Sequence, residues 1–266
     1  MNKYVKTRRI ITISATLACM CLCILIGYKL YLLRETYFGN YPRGTSSYSS
    51  VGVYEIDPET ILSSLDQGNM NVFTPFVGET GNYPYPTVGH FQWKQSDYLK
   101  ITNALYELKV KENISDWNIY SMIFNRGCSD DLYGFDIGEI SYFKIEGSNT
   151  SRYILYDMLI SPINKGVVWD TGGYYPRPLL GWTKVDLNSL KVAAEDALQM
   201  AEENGGKEAR LKVYNECEIH LIINPTPVGD NDWKVSYINH TSTHEPILFE
   251  IHIDPYSGKH KISVSP

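Results

Sequence analysis

Five of the six histidines in this 266-residue chain fall between residues 220 and 260, and two of them sit in the short patterns Glu218-Ile219-His220 and Glu250-Ile251-His252. Alternate side chains of a strand share a face, so Glu218 and His220 point one way while Ile219, Leu221 and Ile223 point the other. The same alternation sets Glu250 and His252 against Phe249, Ile251 and Ile253. If the two strands are neighbours, two imidazoles and two carboxylates share one face, a donor set suited to zinc or a similar ion. The plainer reading is the solvated side of a half-buried sheet.

Other residues could carry chemistry of the same kind. His240-x-x-x-His244-Glu245 forms a second His/Glu group, placed by its surroundings in a hairpin loop. Asp230-Asn231-Asp232 offers oxygens to calcium, but no spaced acidic loop follows, and a turn explains the residues as well. Cys128 and Cys217 are the two cysteines outside the N-terminal apolar run. They could be joined by a disulfide or packed as two buried thiols, and both readings stay open. The chain has no His-Glu-x-x-His, Gly-x-Ser-x-Gly or Walker-type phosphate loop, and no Cys-x-x-Cys outside that run. The expectation is a non-catalytic protein without a cofactor, zinc or calcium being the alternatives.

The elements that would position these groups show a recurring order. Glu79-Thr80-Gly81-Asn82-Tyr83-Pro84-Tyr85-Pro86 resembles Asp170-Thr171-Gly172-Gly173-Tyr174-Tyr175-Pro176-Arg177-Pro178, and Trp93 and Trp182 follow. A helix-like segment comes next in each case, over 97–111 and then 186–204. Cys128 and Cys217 lie at matching distances beyond the tryptophans, Phe143 and Trp233 at nearly matching ones, and Ser161-Pro162 and Asp254-Pro255 close each stretch. This order predicts two tandem α+β units, each a helix followed by antiparallel strands, over 76–175 and 176–266. In the second, Leu187, Leu190, Ala194, Ala197, Leu198 and Ala201 share one helical face, Asp186 serves as N-cap and Gly205-Gly206 ends the helix.

The stretch 183–266 resembles a PepSY-type domain. The resemblance rests on the Ala-rich helix around Ala193–Ala201, the run Trp233-x-Val235-x-Tyr237, and the ending Phe249-x-Ile251-x-Ile253-Asp254-x-x-Ser257-Gly258. It implies inhibition, chaperoning or regulation of a partner, often a peptidase, and supplies no catalytic residues. The first stretch departs from it, with Phe143 where the second has Trp233 and Ser161-Pro162-Ile163-Asn164-Lys165-Gly166 in place of the Asp–Ser–Gly turn.

The N-terminal part reads differently. Ile10–Tyr28 is a run without charge, long enough at about 1.5 Å per residue to span a bilayer core, and basic residues flank it. The expectation is a transmembrane helix over 10–33, with residues 1–9 cytoplasmic and the remainder extracytoplasmic. Lipid attachment at Cys19 is a weaker alternative. Residues 34–75 read as a Gly/Ser/Tyr/Pro-rich spacer holding one short helix at Asp57–Leu65.

Residues 1–34 hold six of the 24 basic residues and none of the 30 acids, so the rest of the chain is strongly acidic. That balance argues against nucleic acid as a partner, since the phosphates would be repelled. The functional expectation is a membrane-anchored module of the cell envelope that binds a protein or peptide. A metal-dependent hydrolase on the His/Glu face is one alternative. Glycan binding by the Tyr-rich connectors Tyr83–Pro86 and Tyr174–Pro178 is another.

Overall fold

Runs such as Glu218–Ile223 and Trp233–Ile238 alternate apolar and polar residues, and β-branched and aromatic residues dominate their apolar positions. Such runs can bury one face only by joining a sheet. A computed structural model shows how they do so, describing residues 24–28, 47–76, 91–110, 114–129, 134–146, 152–174, 184–224, 231–239 and 247–264.

The chain divides into two units, Met1–Thr45 and Ser46–Pro266. Of the first, residues 24–28 are described, and they are helical. Residues 10–23 and 29–33 of the expected membrane span lie outside the described residues. Among the described residues no helix is long and apolar enough to cross a membrane. The transmembrane anchor and the single-pass placement that depended on it are therefore not supported.

The second unit is built on one antiparallel sheet. Its described strands are β1 (Ser47–Glu55), β2 (Thr74–Pro75), β3 (Asn118–Gly127), β4 (Ile137–Glu146), β5 (Arg152–Ser161), β6 (Gly166–Tyr174), β7 (Glu218–Ile223), β8 (Trp233–Ile238), β9 (Ile247–Ile253) and β10 (His260–Val264). Their spatial order is β10-β9-β8-β7-β3-β4-β5-β6-β1-β2. The expected pair of tandem α+β units is corrected by this order. β3 and β7 pair directly, from Met122 opposite Ile223 to Gly127 opposite Glu218, so ten strands form one continuous sheet. Linear spacing does not reveal such a seam, because pairing between distant strands is set in three dimensions.

Two further expectations change with it. Residues 47–55, read as part of a spacer, form β1 and pair along β6 from Ser47 opposite Gly173 to Glu55 opposite Gly166. Asp170–Tyr174, read as a connector, is the outer half of β6 and pairs with β5 as well. The Gly/Ser/Tyr-rich composition suggested a segment without a core, but backbone hydrogen bonds to a neighbouring edge need no large side chains.

Helices cover one face of the sheet. α1 (Ile61–Asp66) follows a turn in which Asp57 accepts the Glu59 N–H and the Thr60 hydroxyl. α2 (Gln95–Val110) buries Tyr98, Ile101, Leu105 and Tyr106. Tyr98 lies across Gly138, where a Cβ would meet its ring at 2.4 Å, and donates to the Phe135 carbonyl at 2.8 Å. Glycine at 138 is thus what lets α2 approach β4.

The helix expected at 186–204 starts later than expected. Asp186 caps only a turn, accepting the Ser189 hydroxyl at 2.6 Å and the Asn188 N–H at 3.2 Å. α3 (Ala194–Ala201) begins eight residues later, and Leu187 lies 38% exposed rather than on the buried face. The helical run ends at the glycine pair, as expected. Gly205 takes φ 128°, a kink that leads directly into α4 (Lys207–Lys212). A Cβ on Gly206 would stand 2.5 Å from the Tyr237 hydroxyl, so this glycine serves close helix–sheet approach.

Phe143 and Trp233 face opposite sides of the sheet. Trp233 points under the helices, fully buried, and donates from Nε1 to the Val192 carbonyl at 3.0 Å. Phe143 points the other way and packs with Leu155 and Tyr120. Their distances from the preceding tryptophans differ by one residue, and in a strand one residue reverses the face. Replacing Trp233 with alanine should lower unfolding free energy by about 3–5 kcal/mol in urea titrations. A loss below about 1 kcal/mol would show that Trp233 is not packed between the helices and the sheet.

Candidate functional site

The face turned away from the helices carries most of the unabsorbed polar chemistry. On β7, Glu218 and His220 lie on this face, with Glu218 Oε2 and His220 Nε2 3.0 Å apart. On β9, Glu250 and His252 do the same at 3.3 Å. The two strands are not neighbours, because β8 runs between them. Ser236 stands opposite both His220 and Glu250, and Lys234 opposite both Ile222 and His252.

β8 therefore separates the four residues into two dyads. Glu250 is also committed elsewhere. It accepts hydrogen bonds from Ser236 at 2.9 Å and Ser263 at 2.8 Å and pairs with Lys234 at 3.4 Å. Burial would push its carboxyl up, but the Ser263 and Ser236 hydroxyls, Lys234 and His252 together hold it below its ordinary range. Such a carboxylate is saturated. Among the described residues no three His, Cys, Asp or Glu side chains are arranged to hold a metal ion. His240, His244, Glu245 and Asp230 lie outside the described residues, while Asn231 and Asp232 lead into β8.

The structure assembles a second polar group that sequence reading missed. Ser141 on β4 stands opposite Asp157 on β5, which stands opposite Asp170 on β6. Glu139 is two residues from Ser141 on the same face of β4. Burial pushes the Asp157 carboxyl up to about 7, against a lowering hydrogen bond with Ser141, and the charges of Asp170 and Glu139 push the same way as burial. Burial also raises Asp170. It raises Glu139 too, with Asp170 adding to the effect. Like charges directly opposite in a sheet are destabilising, and protonation of Asp157 relieves that strain. The signal was present as an acid within each of the three strands, but only the pairing brings the three together.

A third group lies on the helix side. Arg126 donates to the carbonyls of Gly127 and Gly134 and to the Ser129 hydroxyl, while Asp136 accepts the Gly127 N–H. Burial lowers the Arg126 guanidinium, opposed by Asp136, Glu202 and Tyr237. Nearby, Arg210 pairs with Glu202 at 3.0 Å, and the Tyr237 hydroxyl donates to the same carboxylate at 2.6 Å. Two arginines are matched by Glu202 and Asp136. The balanced set holds the α3–α4 bend against the sheet.

Cys128 and Cys217 form a disulfide, with Cα atoms 5.3 Å apart and a sequence separation of 89 residues. It closes the end of the β3·β7 seam, where the Cys128 N–H also donates to the Cys217 carbonyl at 2.9 Å. The sheet's two ends differ. At one, β1 and the two-residue β2 cover β6; at the other, β10 pairs with β9 alone among the described strands. No protein-family model, curated protein or solved structure matches the chain.

Two outcomes follow from this geometry. Because Asp157 is raised in the folded state, its stabilising contribution is complete below about pH 4 and lost as pH rises through about 7. Unfolding free energy should fall by about 2–3 kcal/mol from pH 5 to pH 8 on this account. Asp157→Asn should flatten that slope in urea titrations, and an unchanged slope in the variant would refute the assignment. Replacing Cys217 with serine should cost about 3–5 kcal/mol, as expected for a long cross-linked loop. Equal stability with and without reductant would show that the bond contributes nothing at the seam.

Proposed function

We propose that the chain is a non-catalytic binding module that takes an extended segment of a protein or peptide partner along the free edge of its sheet. The observation that carries the reading is β10. It hydrogen-bonds to β9 on one side, no described strand covers the other, and four of its five residues are exposed. A strand with an uncovered edge presents backbone donors and acceptors that an incoming extended chain can satisfy. The resemblance of residues 183–266 to a PepSY-type domain, a module associated with regulation of protein partners, agrees with this proposal.

The His/Glu dyads contribute nothing comparable to a metal-dependent reading, since the better buried carboxylate is already taken up by serines and Lys234. For the strand-addition reading, the test is a selection of displayed random nine-residue peptides on the immobilised full chain. Enriched peptides should slow amide exchange of His260–Val264 at least tenfold and leave Met122 and Phe124 unchanged. Enriched peptides that protect other segments, or none, would sink the proposal.

A further inference from the structure

Resting on the strand-addition reading, we infer that β10 takes an acidic extended segment, in which carboxylate and apolar residues alternate, antiparallel to itself. The topology supplies the first argument. From the β3·β7 seam, four strands run outward on each side, β3-β4-β5-β6 and β7-β8-β9-β10. On the first side the sheet continues, because β1 adds antiparallel to β6 over nearly its whole length. On the second it stops at β10. The molecule thus shows, at one end of its sheet, how a strand from elsewhere in the chain covers such an edge.

The side chains of β10 say what would fit. Ile262 stands opposite Ile251 and Lys261 opposite His252, so consecutive residues face the helix side and the other side in turn. Ile251 is fully buried, yet Ile262, one strand further out, is 40% exposed. An apolar side chain across from Ile262 would cover it, and burial of such surface stabilises by about 25 cal/mol per Å². On the opposite face Lys261 is exposed and makes no ion pair among the described residues.

Lys259 and His260 precede Lys261, and residues 255–266 contain no acid. The acids closest in sequence and across the ladder are already engaged. Asp254 accepts the Tyr256 and Ser257 N–H groups and the Ser257 hydroxyl, and Glu250 is held by Ser236, Ser263 and Lys234. In an antiparallel pair, directly opposite residues have Cβ atoms about 4.5–5.5 Å apart. A carboxylate opposite Lys261 is therefore within ion-pair reach, and its chain neighbours fall on the Ile262 side. A second copy is the poorer occupant, since β10 against β10 would crowd two sets of Lys259, His260 and Lys261 along one short pair.

The test uses the full chain and three capped nine-residue peptides alternating valine with glutamate, with threonine, or with lysine. The glutamate peptide should bind at least tenfold more tightly than the threonine peptide, and the lysine peptide should bind more weakly still. Binding of the glutamate peptide should weaken as salt rises. It should slow amide exchange in His260–Val264, and N-methylation of its alternate amides should abolish that protection. Lys261→Glu, an exposed change, should invert the order of the glutamate and lysine peptides. Equal binding of the glutamate and threonine peptides at β10 would overturn the acidic preference while leaving strand addition standing. No protection of β10 by any of the three, even when they bind, would overturn both. Self-association that itself protects β10 would make a second copy the occupant and overturn the inference.

Discussion

The pairing of β3 with β7 is the constraint on which the rest of this structure depends. Each strand begins a four-stranded run, and each run is preceded by helical segments that cover one of its faces. Without the seam, each run would keep a bare edge at its first strand. With it, Phe124 and Leu221 become direct neighbours in one sheet, and the apolar side chains under α2 and α3 merge into one core. The disulfide reinforces the seam at its end by tying two points 89 residues apart, which restricts the unfolded chain more than the folded one.

Polar residues near the seam are spent on holding it. Arg126, one residue from the end of β3, is buried among carbonyls and the charges of Asp136 and Glu202. Breaking one side of such a set leaves an uncompensated buried charge, so the group acts as a structural lock. The opposite face is less balanced. Its β7–β9 part mixes acids with Lys234 and two histidines, whereas Glu139, Asp157 and Asp170 stand together on β4–β6. That contrast makes the β4–β6 region sensitive to pH through its raised carboxylates.

The two ends of the sheet are the other asymmetry. β6 is relieved of its free edge by β1, in which Gly52 lies directly beneath the Trp169 indole. β10 has no such cover among the described strands, and Lys261 protects it from self-pairing while leaving it open to a chain of opposite charge.

Much of the local structure follows from sequence alone. The period of two in Glu218–Ile223 and Ile247–Ile253 sets which residues are buried, and so puts Glu218 with His220 and Glu250 with His252. Periodicity holds no information about which strands are neighbours. For that reason the insertion of β8 between the two dyads, the meeting of Glu139, Asp157 and Asp170, and the docking of β1 on β6 could not be read in advance. The same limit explains Phe143, where a one-residue difference in spacing was enough to reverse its face. Composition and alternation determined the elements and their buried sides. The tertiary structure alone decided their partners, because hydrogen-bonded pairing joins residues whose separation along the chain leaves no trace in local pattern.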